Sequence, residues 1–389
     1  MKKKVLTAAT LAVFATAAHA QSSVTLYGLI DAGISYVNHS KTASGGHDKL
    51  FKYDDGVAQG SRWGLRGTED LGNGLKALFV LENGFNSGNG TLGQGGAMFG
   101  RQAYVGLSQN GMGSLTFGRQ YSFSTDYLGS NYSTGGQTVA GNYAYHINDV
   151  DQLTSSRINN SVKFSSANIQ GLTFGGMYGF SNQAGAFAGS PTVGTTAGSS
   201  RAYSFGLNYA NGPFGIGAAY TDIRYPSQAS PAFSTAMANV QPGGTAANVR
   251  DLRTFGVGGR YSIGAATLWA LYTNTRFQSI TGSSTTTYAA YEAGAKYALT
   301  PALTAGAGYT YMHLSNANKG HWNQADLSVD YALSKRTDVY ALGIYQVASG
   351  HNGTQDLQAQ IGSSTSYFNT SGTGANNQIA ARVGIRHKF

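Results

Sequence analysis

"ARVGIRHKF", residues 381–389, ends the chain on an aromatic residue after a strict two-residue alternation. Ala381, Val383, Ile385, His387 and Phe389 share one parity, while Arg382, Gly384, Arg386 and Lys388 share the other. A period of two is that of a β-strand, whose two parities point to opposite faces of a sheet. One face here suits hydrocarbon and the other suits water. The stretch therefore reads as a strand lying between lipid and an aqueous space.

The same alternation recurs upstream. In RAYSFGLNYA (201–210), Tyr203, Phe205, Leu207 and Tyr209 oppose Ala202, Ser204, Gly206 and Asn208. In YEAGAKY (291–297), Tyr291, Ala293, Ala295 and Tyr297 oppose Glu292, Gly294 and Lys296. In QADLSVDY (324–331), Ala325, Leu327, Val329 and Tyr331 oppose Gln324, Asp326, Ser328 and Asp330. The charged face must be wet, which implies a water-filled interior. The aromatic that closes one face before each turn fits a girdle at a membrane interface, and Phe389 takes that place on the last strand.

Turn residues set the strand count. Short turns are expected in TEDLGNG (68–74) and SQNGMG (108–113), after Phe164, and at YANG (209–212), YSIG (261–264), YALTP (297–301) and YALSKRT (331–337). Longer polar segments lie near 38–56, 86–98, 122–156, 182–200, 225–250, 278–285, 313–320 and 348–376. Seven turns and eight loops join sixteen strands. Short turns on one side and long loops on the other are the asymmetry of an outer-membrane barrel, and an even count puts both termini on the periplasmic side. Sixteen strands enclose an aqueous channel.

Composition agrees. Charged residues are 11%, against about 25% in ordinary soluble domains. There are 55 glycines, 25 tyrosines and no cysteine, so neither disulfides nor thiolate chemistry is available. The first twenty residues, MKKKVLTAATLAVFATAAHA, read as a cleavable secretory signal with a basic start, a short apolar run and an Ala-His-Ala site. Residues 21–389 then form one barrel domain. No other long apolar run occurs, which excludes a helical membrane protein. A barrel hides from hydropathy because its two faces cancel. Loss of Lys2, Lys3 and Lys4 lowers the formal charge from +9 to +6, a balance without the dense basic clustering of a nucleic-acid binder.

Several stretches together resemble the general porins of the Gram-negative outer membrane, in the branch known from β-proteobacteria and neisseriae. They are SSVTLYGLIDAGISY (22–36), SRWGLRGTEDLGNGLKALFVLENGF (61–85), FGRQAYVGLSQNGMGSLTFGRQY (99–121), INNSVKFSS (158–166) and RVGIRHKF (382–389). The resemblance implies a homotrimer of sixteen-stranded barrels embedded in outer-membrane lipid and lipopolysaccharide. It implies that the third loop, 122–156, folds into the lumen. Ions and small hydrophilic solutes would then cross passively, without a cofactor. It also implies that Phe389 is read by the barrel-insertion machinery. The chain departs from enteric porins in the third loop, which lacks their Pro-Glu-Phe-Gly-Gly-Asp acidic motif and carries only Asp126, Asp149 and Asp151.

Counting residues from each turn gives height in the barrel. Arg62 and Arg101 lie seven residues before Glu69 and Ser108, Arg157 nine before Ser166, and Arg382 seven before the terminus. All four have lumen parity, and the family carries arginines matching Arg62, Arg101 and Arg157. Asp31, Glu82 and Asp126 count to a similar level as the acidic side of a constriction. Taken singly, each arginine also reads as a structural ion pair bracing a loop or wall. Their shared level points to a pore field, mildly positive and mildly anion-selective. Arg119 shares parity with Leu115 and Phe117, faces outward, and matches a subunit contact in the family. A GxGxxG match at 88–93 sits in a loop with no helix after it, and the histidines lack metal-ligand spacing. The readings to weigh against a general channel are a solute-selective channel, a barrel enzyme such as a lipase or protease, and a plugged adhesin.

Overall fold

A strand in hydrocarbon finds no water for its edges, so each backbone N–H and C=O must be satisfied by a neighbouring strand. The computed structural model describes residues 23–44, 46–154, 156–226, 249–280, 285–316, 319–351, 355–362 and 374–389, and it meets that demand with one antiparallel sheet. The signal segment 1–20 lies outside the described residues.

The strands are β1 (Ser23–Lys41), β2 (His47–Asp55), β3 (Arg62–Gly72), β4 (Leu75–Gly84), β5 (Gln102–Gln109) and β6 (Gly113–Tyr121). After the third loop come β7 (Arg157–Ser166), β8 (Leu172–Gly179), β9 (Arg201–Asn211), β10 (Phe214–Arg224), β11 (Val249–Ile263) and β12 (Ala266–Ser279). The last are β13 (Thr285–Ala298), β14 (Leu303–Asn316), β15 (Lys319–Ala332), β16 (Thr337–His351) and β17 (Asn377–Lys388). Successive strands pair, and β17 returns to β1 with Leu29 opposite Lys388 and Val37 opposite Ala380. The sheet is closed.

β2 and β3 are two halves of one barrel strand. β2 pairs with the upper part of β1 and β3 with Ser23–Leu29. Between them residues 56–61 step inward. The wall therefore has sixteen strands, as the turn count gives. All seven short connections lie where the turn residues put them, two of them bending at Asn73 (φ 53°) and Gly264 (φ 56°).

The expected loop at 38–56 is corrected. β1 continues to Lys41 and β2 runs antiparallel to it from His47, leaving a tip of only 42–46. The polar composition of HDKLFKYDD conceals an alternation in which Phe51 and Tyr53 point outward, 74% and 52% exposed, and Phe51 packs on Tyr36.

Alternation divides the wall as expected. Phe205, Leu207, Leu327, Val329, Val383 and Ile385 are exposed on the outside, while Ser204, Thr221, Thr254, Gln324 and Gln346 are buried toward the interior. At the seam Phe389 exchanges both backbone hydrogen bonds with Gly28, at 3.0 and 3.1 Å. A Cβ on residue 28 would lie 2.5 Å from the Phe389 ring, so glycine there lets the terminal residue complete the wall.

Behind the seam sits an ion pair. Arg382 of β17 lies 3.3 Å from Asp31 of β1, and both side chains are fully buried. Arg382 also donates to the Tyr340 hydroxyl (2.9 Å) and to the Asp54 carbonyl (3.0 Å). Asp31 accepts from the Gln59 N–H (2.8 Å) and from the Tyr340 hydroxyl. One charge pair thus ties β1, β16, β17 and the inward step 56–61 together. Removing one partner of such a pair leaves an uncompensated buried charge and costs about 3–5 kcal/mol. Arg382→Met should therefore clearly lower the temperature at which the folded barrel loses its compact gel mobility. An unchanged transition would mean that the pair does not hold the seam.

Candidate functional site

The interior is occupied by 122–156, which leaves β6 and returns to β7 as a string of short helical turns at Ser124–Gly129, Ser130–Tyr132, Thr134–Gln137, Gly141–Ala144 and Ile147–Asp149. None is long enough to hold itself, so the wall must hold them. Phe123, Leu128, Tyr132, Val150 and Leu153 are buried against it. This explains several of the wall glycines. Gly217 and Gly258 lie on the inward parity of β10 and β11, and a Cβ at either would come within 2.6 or 2.5 Å of Tyr132. The wall is stripped of side chains where the loop lies flat.

Polar groups fix the loop at both ends. Near its start, the Phe123 N–H donates to Ser204 Oγ (3.1 Å), and Ser124 and Thr221 share a hydroxyl hydrogen bond at 2.8 Å. On the opposite side, the Asn142 N–H donates to the Val57 carbonyl (2.7 Å), and Tyr143 donates to Asp54. Gly141 takes φ 52°, and a Cβ there would fall 2.1 Å from that same carbonyl. Between these anchors, His146 bridges two carboxylates. Its Nδ1 faces Asp151, and its Nε2 lies 2.8 Å from Glu292 of β13. Burial opposes a charge on the ring, but the two carboxylates outweigh it and hold the imidazole well above its ordinary pKa, so the protonated ring donates from both nitrogens. The Thr273 hydroxyl donates to Asp151 (2.6 Å), and the Thr134 N–H donates to Glu292.

A cavity of about 660 Å³ remains beside the loop. Arg62, Arg101, Arg157 and Asp126 border it, together with Arg386 and Asp149. Tyr121 lies between two of the arginines, its ring centroid 5.9 Å from the Arg101 guanidinium and 4.9 Å from that of Arg157. Arg157 also donates to its hydroxyl at 3.1 Å. Glu82 stands behind this group, accepting from Arg101 Nε (2.8 Å) and from the Tyr27 hydroxyl (3.1 Å). Among the described residues neither Arg62 nor Arg157 has a carboxylate within ion-pair distance, and the Nε atoms of both are buried without a hydrogen-bond partner.

Three of the expected positions require correction. Arg382 and Asp31 do not border the cavity. They neutralise each other at the seam, because the inward step 56–61 and Tyr340 cover them. Glu82 is likewise spent on Arg101 and Tyr27, leaving little exposed carboxylate. Asp126 does border the cavity, but Lys163 of β7 lies 2.5 Å from it. Lys163 has the sequence parity of Arg157, and the register sets it opposite the inward Thr116, although a bulge at 159–160 of β7 separates the two. Arg386, on the same parity as Arg382, also lines the cavity and pairs with Asp338 at 3.1 Å. Arg119 faces outward from β6 beside a bulge at Gly118 (φ 139°), where its Nε donates to the Gly100 carbonyl (2.9 Å) and its Nη1 to Asn159.

Comparison with known proteins identifies this architecture. A family model described as Gram-negative porin matches residues 7–350, and the chain belongs to that family. An outer membrane porin protein of Bordetella pertussis is 35% identical over the whole of both chains. Outer membrane porin protein 32 of Delftia acidovorans is 30% identical, again over the whole of both. Among solved structures, an anion-selective porin from Comamonas acidovorans superposes with a TM-score of 0.71 at 26% identity, covering 95% of this chain and 100% of that one.

The His146 bridge gives a test of loop anchoring. His146→Ala would leave Asp151 and Glu292 buried without their shared cation, a loss of about 3–5 kcal/mol on the scale of broken buried pairs. Open-channel current noise and protease cleavage within 122–156 should both increase in the folded variant. A quiet, protease-resistant variant would show that wall packing alone holds the loop.

Proposed function

We propose that this outer-membrane porin is a passive diffusion channel for ions and small hydrophilic solutes, with a mild preference for anions. The observation that carries the preference is the pair Arg62 and Arg157, which border the cavity with no carboxylate partner among the described residues. A constriction between low-dielectric walls focuses the field of the charges on it, so a small excess of one sign selects ions. Arg101 contributes less because Glu82 offsets it. The 26% identity to an anion-selective porin supports the same sign.

The working unit is a homotrimer in this reading, with Arg119 near the subunit boundary and Phe389 presented to the insertion machinery before the seam closes. The outward parity of Arg119 and the alternating last strand support those two roles. Family membership favours a channel over a lipase, a protease or an adhesin.

Reversal potential under a KCl gradient tests the preference. The wild type should favour chloride at 0.1 M salt, where screening extends about 10 Å, and much less at 1 M, where it extends about 3 Å. Arg62→Ser together with Arg157→Ser should shift the potential toward cations, while the outward-facing Arg253→Ser should leave it in place. A cation-selective wild type, or a double variant as silent as Arg253→Ser, would overturn the assignment.

A further inference from the structure

The second loop reaches the cavity as well as the third. Between β4 and β5 the chain folds on itself and onto its own barrel. The Asn86 N–H donates to the Thr91 carbonyl (2.9 Å), the Gly93 N–H to the Gly84 carbonyl (2.6 Å), and the Asn83 side chain to the Met98 carbonyl. After Gly93 comes one tight turn, Gln94–Gly96, and Gln94 borders the cavity together with Arg62 and Arg101. Parity could not have found it, because it stands in a loop and not on a strand.

The surroundings are cleared for this one side chain. A Cβ on residue 84 would lie 2.3 Å from Gln94 Oε1, and one on residue 100 would lie 2.6 Å from Gln94 Cβ. The same Cβ on residue 84 would lie 3.1 Å from Arg101 Cδ, so the Gln94 amide rests beside the stem of that arginine. Gln94 takes φ 48° although a glycine stands on either side of it. That left-handed backbone is one a glycine adopts without strain. Its Oε1 is buried with no hydrogen-bond partner among the described residues. Both features cost stability, and a residue held in such a state points to a function and not to folding.

We propose that Gln94 is a specificity-determining residue of the constriction, set there by the second loop to limit its width on the arginine side. An uncharged amide narrows the passage without cancelling the field of Arg62, whereas a carboxylate at the same place would oppose that field. The size limit is then shared between two loops, the third from across the lumen and the second through this one side chain. The inference rests on the channel reading proposed above and adds to it a residue that sets which solutes fit.

The test compares folded variants in liposomes, with uncharged sugars of increasing size, and in planar bilayers under a KCl gradient at low salt. Gln94→Gly relieves the strained backbone, so its folded form should resist heat at least as well as the wild type. Its flux of larger sugars should rise severalfold relative to that of the smallest. Gly84→Ala pushes the amide off the wall toward the cavity and should lower the flux of larger sugars. Combined with Gln94→Gly, that effect should vanish, because no side chain remains to be displaced. Gln94→Glu should move the reversal potential toward cations, while Leu92→Glu, exposed on the same loop and outside the cavity lining, should move it far less. A channel that conducts as proposed but whose size limit and reversal potential ignore the Gln94 substitutions would overturn this inference alone. Loss of the folded barrel in Gln94→Gly would make Gln94 a structural brace and would overturn it too. A wild type impermeable to every sugar would overturn it together with the reading on which it rests.

Discussion

A strand wall in hydrocarbon can leave no backbone polar group unpaired along its edge. Everything else in this barrel follows from closing that edge. Closure requires an even set of strands joined by tight turns on one side, and a chain end that pairs back onto the chain start. Phe389 and Gly28 make that last exchange, and the buried pair of Arg382 and Asp31 fixes β17 against β1 just above it. The ion pair sits inside the wall, where it also holds the step at 56–61 and through it one side of the third loop.

Closure creates a second demand. A sixteen-stranded lumen is too wide to select anything, so something must partly fill it. The third loop does so with little regular structure of its own, and the wall meets it with glycines where it lies flat and with charge where it must be fixed. Two of its three acids are consumed in this fixing. Asp151 holds His146, and Asp126 faces Lys163. In the proposed reading Arg62 and Arg157, with no carboxylate within ion-pair distance among the described residues, give the cavity a positive polarity that owes as much to where the carboxylates are engaged as to how many there are.

The barrel was largely legible in the sequence because each of its signals is local. Turn residues mark reversals, and parity marks which face is wet. What remained hidden depends on partners distant along the chain. Parity placed Arg382 inside the barrel, but nothing nearby shows that Asp31, 351 residues away, consumes its charge. The extension of β1 and β2 was masked because extracellular hairpins rise above the lipid, where neither face needs to be apolar. Lys163 matches Arg157 in parity only across a bulge at 159–160, so its inward side is fixed by the register opposite Thr116. The inward step at 56–61 had no local signal beyond Gly56, whose φ of 68° turns the chain out of the wall.

Permeation through the partly filled lumen should be passive and limited by solute size. Solute flux into liposomes carrying the purified protein tests it most directly, using uncharged sugars of increasing size over a wide range of concentration. Flux should rise linearly with concentration and fall steeply with solute size. Flux that saturates for one sugar, or liposomes that remain impermeable to all of them, would contradict it.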